Sequence, residues 1–358
     1  MSSPGPRLAQ LDALRGVAAL LVVGFHYTTR FDQLYGHAGE PLLSLPWGHY
    51  GVNLFFMISG FVIFMTLERT QRATDFVVSR FSRLYPAYWG ALLLTFALTH
   101  LLGLPGKTVG WQTLVINLTM LQELMGVAHV DGVYWTLTVE LLFYALALLS
   151  YLNGGGVRLR QVLFACLGLR LLYVVVAAVW SVDLPWVLQR WLLLPFIAWF
   201  ALGVAVYRLT QRHGLPALAA TGSPASAAPV ADRWLAAAAV LVIGVGQGAG
   251  VALLACGCFM VLMGAAQGRW TWLEHRCWLW LGSISYTLYL LHENIGWALL
   301  LRLQALGMPA TASILVVLTV SLGLAHALTR LVEQPAMRWI RARYQQRRAR
   351  GDAVVSGG

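Results

Sequence analysis

Apolar runs long enough to enter a bilayer recur along this chain, and that recurrence restricts its fold more than any other feature. Ten are recognised, at residues 9–29, 51–68, 85–104, 133–152, 161–180, 190–208, 233–248, 250–267, 278–301 and 311–331. A chain of 358 residues that is 59% hydrophobic and 11% charged carries more apolar surface than a water-facing domain can bury. Inside lipid every backbone N–H and C=O must be satisfied within the spanning element, and runs of this length do so as helices. The expected class is therefore all-α, a polytopic membrane bundle of about ten transmembrane helices.

The formal charge of +11 would suggest nucleic acid in a soluble protein. Here the basic residues sit between apolar runs, which is the pattern of membrane topology, and no nucleic-acid partner is expected. With the N-terminus inside, the inner loops hold Arg69, Arg72, Arg80, Arg83, Arg158, Arg160, Arg208, Arg212, Arg233, Arg269 and Arg276. The tail RWIRARYQQRRAR follows on the same side. The outer loops hold Asp32, Glu40, Glu123, Asp131 and Asp183, with Lys107 and Arg302 as the main exceptions, so both termini are expected in the cytoplasm. Arg15 interrupts the first run and no cleavage site follows, so it reads as a retained span rather than a signal peptide.

Residues 111–126, WQTLVINLTMLQELMG, are too short to span, and counting them would carry Arg158, Arg160, Arg208 and Arg212 outside. They read as an interfacial or re-entrant piece on the outer face. Residues 213–232 are rich in Ala, Pro, Gly and Ser and read as a disordered inner linker within a membrane domain of residues 1–338. Residues 339–358 form a basic cytoplasmic tail expected to meet anionic headgroups. Cys166, Cys256, Cys258 and Cys277 make no ligand set, and no metal is expected.

Polar residues inside the spans point to chemistry. In LDALRGVAALLVVGFH, Arg15 and His26 lie eleven residues apart, three turns plus a small remainder, on one helical face and about 16 Å apart along the axis. An arginine at membrane depth costs about 2.5–3.5 kcal/mol, so it faces a polar cavity or a partner. The second span carries Asn53 at its outer end and Ser59-Gly60 midway. The inner loop SRFSRLYPAYW places Arg80 and Arg83 three apart; if helical, both guanidinium groups face one side and can grip phosphates. In YWTLTVELLFYAL, Thr136, Glu140 and Tyr144 form one stripe around a carboxyl that needs Arg15, His26 or a loop arginine beside it. In GSISYTLYLLHENIGW, Ser285, Tyr289 and His292 make another stripe with Glu293 one position around. The last span ends at Glu333-Gln334-Pro335, read as a helix stop.

Taken together these segments resemble acyltransferase family 3, integral-membrane O-acyltransferases that use acyl-coenzyme A. The resemblance rests on the Arg15–His26 pattern, GVNLFFMISGFVI, SRFSRLYPAYW, YWTLTVELLFY, GSISYTLYLLH and the terminal EQP, in order over about residues 8–338. It departs at Asn53, where many relatives carry an acidic residue, and in lacking the soluble hydrolase-like domain some relatives carry.

The resemblance implies a multi-pass protein of the bacterial cytoplasmic (inner) membrane that transfers an acyl group, most often acetyl, from acyl-CoA (acetyl-CoA) to a hydroxyl. His26 is then the general base, Arg15 orients the acyl carbonyl or stabilises an oxyanion, and Glu140 orients His26 or balances the cavity arginines. Arg80 and Arg83 hold the coenzyme A phosphates at the cytoplasmic mouth. Asn53, Ser285, Tyr289 and His292 line the substrate. With His26 toward the outer face, the expected acceptor is a surface polysaccharide or lipid-linked glycan. A cytoplasmic small molecule such as an antibiotic is the alternative acceptor. A transporter or flippase without chemistry is the rival class.

Overall fold

Glycines set two of the reversals between long helices in this computed structural model, which describes residues 6–181, 183–211 and 228–356. Gly154 and Gly155, both at positive φ, turn the chain between Trp135–Leu152 and Gly155–Trp180; Gly248 at φ 96° separates Ala228–Gln247 from Ala249–Ala266. An L side chain is strained at such angles, so the turn falls where glycine removes that cost. Among the described residues there is no strand, and seven helical stretches are long and apolar enough to cross a membrane. They are Ala9–Tyr35, Pro46–Glu68, Gly132–Leu152, Gly155–Trp180, Val230–Gln247, Ala249–Ala266 and Ala310–Arg350.

Three of the ten expected spans fall outside this set. The run at 85–104 belongs to a thirty-residue helix, Ala73–Leu102, that starts among the loop arginines and carries Pro86 inside it. The run at 190–208 is interrupted after the Trp186–Trp191 turn, where Leu193 takes φ 55°, and only Ile197–Gln211 is a regular helix beyond it. The run at 278–301 breaks at His292, between Arg276–Leu291 and Glu293–Ala305. Residues 111–126 form only the Trp111–Asn117 helix and a 3₁₀ turn at Gln122–Met125, too short to span.

Other boundaries move too. Glu333-Gln334-Pro335 is not a stop: the chain widens into a π-helix at Thr329–Glu333 and continues as Gln334–Ser356. Pro335 lands in the first turn of that helix, where its missing N–H is least disruptive. The expected linker at 213–232 lies outside the described residues up to 227, and its last five residues are helical, since Ala228–Gln247 begins there.

The chain divides into two compact units. The first holds Met1–Ala18, Tyr50–Arg69 and Thr136–Gly282; the second holds Ala19–His49, Thr70–Trp135 and Ser283–Gly358. In the first, a Cβ at Gly60 would strike the Phe200 carbonyl, and one at Gly203 the Met57 carbonyl. The Gly51–Glu68 and Ile197–Gln211 helices therefore cross backbone to backbone, as membrane helices do at small residues. Buried Asp232 anchors the start of the Ala228–Gln247 helix, 2.8 Å from Arg208 and 3.4 Å from Arg160. In the second unit the C-terminal helix packs on Ala73–Leu102 instead of reserving all its arginines for headgroups. Arg348 pairs with Asp75 at 3.0 Å, Tyr344 donates to Asp75 at 2.8 Å, and Arg341 donates to Ser82 at 3.1 Å.

Candidate active site

His26 stands in a π-helix, Phe25–Arg30, inserted after the α-helix Pro6–Gly24. A π turn adds one residue per hydrogen-bonded ring, disturbs the backbone ladder and marks functional sites more often than chance. The affected carbonyls here find side-chain donors. Trp297 Nε1 donates to the His26 carbonyl at 3.0 Å, and His37 Nε2 lies 3.0 Å and 3.2 Å from the Tyr27 and Thr28 carbonyls. Thr28 Oγ1 donates back to the Gly24 carbonyl at 2.7 Å. The result is a histidine held on a backbone that the rest of the unit has locked.

The imidazole contacts settle how its protons are arranged. His26 Nδ1 lies 2.8 Å from the Val22 carbonyl, which can only accept, so Nδ1 carries a hydrogen. His292 Nδ1 lies 2.8 Å from the Tyr289 carbonyl and carries one for the same reason. That leaves the neutral His292 Nε2 as an acceptor, 3.2 Å from His26 Nδ1. His26 Nε2 is then the free basic nitrogen, and Glu293 Oε2 stands 3.3 Å from it. One proton on Nε2 completes an imidazolium–carboxylate pair. The chain Tyr289 carbonyl, His292, His26, Glu293 is thus continuous, with His292 fully buried and the Glu293 side chain 7% exposed.

The break at His292 is what delivers Glu293. Glu293 opens the Glu293–Ala305 helix, where the helix dipole favours a carboxylate. Fully buried Asp131 holds that helix start, accepting from Asn294 N–H at 3.1 Å and from Val133 N–H at 3.2 Å. Burial first, and next the Glu293 charge, push the Asp131 carboxyl well above the usual range, while those two N–H bonds act the other way. Asn294 Nδ2 donates to the Val130 carbonyl at 2.8 Å, tying the same loop to the same helix. Gly132 leaves room for the carboxylate, since a Cβ there would collide with Glu293 Oε1. Tyr27, fully buried, donates to the His292 carbonyl at 2.9 Å and meets Ser321 Oγ at 2.7 Å. A Cβ at Gly296 would strike the Tyr27 ring. All of these residues belong to the second unit.

Several expected site residues are placed differently. Ser285 and Tyr289 are buried, and the Tyr289 hydroxyl donates to the Val133 carbonyl at 3.3 Å. His292 serves His26 directly. Glu140, in the first unit, is held by Ser59 Oγ at 2.9 Å and by the Tyr144 hydroxyl one turn along its own helix. Within the second unit, the carboxylate beside His26 is Glu293. Arg15 and Asn53 are half-buried in the first unit. Glu293 and Asp131 were legible as intramembrane or loop acids, but nothing in their spacing pairs them with residue 26.

At the other end of the second unit, Arg83 forms an ion pair with buried Glu333 and lies 5.7 Å from the centre of the Tyr286 ring. Arg80 takes a different direction, with Nη2 donating to Ser79 Oγ at 3.1 Å. The two arginines thus have different side-chain partners. Tyr286 precedes His292 by six residues, so the cationic end and the imidazole end are separated by about 9 Å along that helix. Among the described residues no group of three or more His, Cys, Asp or Glu is disposed to hold a metal ion.

Comparison with known proteins points to acyltransferases. A family model described as an acyltransferase domain, acyltransferase family 3, matches residues 8–330. The chain is 29% identical over 173 residues to acyltransferase MdmB of Streptomyces mycarofaciens, covering 46% of this chain and 44% of the relative. It is 39% identical over 111 residues to protein 2 in the picA locus of Rhizobium radiobacter, covering 29% and 53%. It is 30% identical over 156 residues to nodulation protein 10 of Rhizobium leguminosarum bv. viciae, covering 37% and 41%. The chain thus spans about half the length of these curated relatives. No solved structure matches it. With residues 8–330 under one family model, the chain belongs to acyltransferase family 3.

Proposed function

We propose that this protein is a multi-pass enzyme of a bacterial cytoplasmic membrane, both termini inside, that moves an acetyl group from acetyl-CoA to a hydroxyl of an extracytoplasmic glycan. One observation carries the mechanism: His26 Nε2 faces Glu293 Oε2 at 3.3 Å while Nδ1 is committed to the Val22 carbonyl. A hydroxyl near neutral pH is a poor nucleophile and needs a positioned base. His26 Nε2 takes the acceptor proton as the oxygen forms a bond to the thioester carbonyl carbon. The carbonyl electrons move to oxygen, return as the C–S bond breaks, and the departing thiolate takes the proton from His26. Glu293 stabilises the imidazolium between these two events, and His292 fixes the ring through Nδ1. The imidazole is neutral before and after the cycle, so atoms and charge balance.

The donor's phosphates are assigned to the arginine end of the second unit, with Arg80 as the available guanidinium there. Arg83, paired with Glu333, supports that end. The charge bias of the loops supports a cytoplasmic donor side and an outer acceptor side. The test is release of free thiol from acetyl-CoA by the purified protein, with mass spectrometry of surface glycans from cells that carry or lack it. Acceptor-dependent thiol release and added acetyl mass support the reading. Glycans of unchanged mass with acetylated small molecules in the cytoplasm would move the acceptor inside, and no thioester consumption would leave a transporter.

A further inference from the structure

Residue 341 lies beyond the 8–330 stretch that the family model matches, yet the structure brings it to the arginine end of the second unit. Ser79 and Ser82, one turn apart on Ala73–Leu102, anchor two guanidinium groups at one level. Ser79 Oγ accepts from Arg80 Nη2 at 3.1 Å, and Ser82 Oγ accepts from Arg341 Nε at 3.1 Å. Arg341 Nη2 also reaches the Ser79 carbonyl at 3.5 Å. The like charges of Arg80 and Arg83 both bear on Arg341. The carboxylate bonded within this trio is Glu333, and Arg83 takes it. Arg80 Nε is shielded from solvent and has no hydrogen-bond partner among the described residues.

Two cations held together with no carboxylate of their own among the described residues, one with a shielded unmatched N–H, form a site that an anion completes. We infer that Arg341, from the C-terminal helix, joins Arg80 to bind a phosphate group of the acyl donor. The inference rests on the donor reading above and adds a residue and a segment to it. Ser82, fully buried, is the positioning residue: it donates to the Ser79 carbonyl at 3.1 Å and leaves its oxygen to aim Arg341. The C-terminal helix is thereby part of donor recognition as well as a basic tail. An anionic lipid headgroup offers the same phosphate chemistry, and the two sources are separable.

Coenzyme A is titrated by calorimetry into the full chain, first in phosphatidylcholine nanodiscs and then in nanodiscs containing phosphatidylglycerol. Arg341→Gln is expected to weaken coenzyme A binding about 10- to 150-fold, the range for losing a hydrogen bond to a charged group. Arg80→Gln is expected to do the same, Arg341→Lys to recover part of the loss, and exposed Arg347→Ala to change nothing. Adenosine 3′,5′-bisphosphate is expected to compete in the unaltered chain. If Arg341→Gln does not fold, Ser82→Ala removes only the aiming oxygen and is expected to weaken binding several-fold. Arg341→Gln binding within twofold of the unaltered chain, while Arg80→Gln fails, overturns the role of Arg341 and leaves the donor reading standing. Phosphatidylglycerol abolishing coenzyme A binding only when Arg341 is present assigns the site to lipid and overturns the inference. An unaltered chain that does not bind coenzyme A overturns the donor reading and this inference together.

Discussion

Replacing Glu293 with Gln keeps the side-chain shape and removes one charge 3.3 Å from His26 Nε2. At an effective dielectric of about 20, unit charges at that separation attract by about 5 kcal/mol, which sets a ceiling of a few thousandfold. The amide still offers a dipole, so the loss is nearer the net value of one charge-assisted hydrogen bond, about 1.5–3 kcal/mol. Both side chains are largely enclosed, at 14% and 7% exposure, so water does not make up the difference. The expected outcome is a turnover rate lower by about tenfold to about 150-fold, with coenzyme A affinity unchanged. Acetyl groups on surface glycan per molecule of membrane-inserted protein give the first readout, and coenzyme A titration the second. Glu293→Gln turning over within twofold of the unaltered chain, at equal thermal midpoint, would refute the dyad. Loss of donor affinity in parallel with turnover would show that Glu293 shapes the fold rather than the chemistry.

Four further outcomes follow from the same geometry. His26→Ala is expected to lose about 100- to 10,000-fold in acyl transfer while remaining inserted, checked by glycan mass spectrometry; a twofold effect removes His26 from the mechanism. Gly132→Ala should cost at least tenfold in turnover, because its Cβ meets the Glu293 carboxylate; full activity would mean that the carboxylate is not fixed there. Asp232→Asn should destabilise the first unit by about 3–5 kcal/mol, read as a lowered unfolding midpoint in detergent, since it leaves Arg208 and Arg160 without their buried counter-charge. Orientation is tested with Leu42→Cys: Leu42 is 89% exposed, and an impermeant thiol reagent should label it from outside sealed cells. Labelling only from the inside would reverse the topology.

The hydrophobic runs were sufficient to foresee a helical membrane protein, because a backbone in lipid has few ways to satisfy its polar groups. Local periodicity also paired Glu140 with Tyr144, four residues apart on one helix, and those two are hydrogen-bonded. The motif order, from the Arg15–His26 pattern to Glu333-Gln334-Pro335, was enough to place the chain in its family. What the sequence could not supply were partners set by long-range packing. Arg80 and Arg83 share a helical face by spacing, yet buried Glu333, 250 residues further on, draws Arg83 into an ion pair. The break at His292 brings Glu293 to His26 within the second unit, and Asp131 fixes that break by holding the helix start. The π turn at Phe25–Arg30 is likewise invisible in FHYTTR, because its carbonyls are satisfied by Trp297 and His37. The apolar pattern along the chain determined that the fold is helical. The charge partners depended on tertiary structure, since a buried carboxylate pairs with whichever cation packing brings within reach.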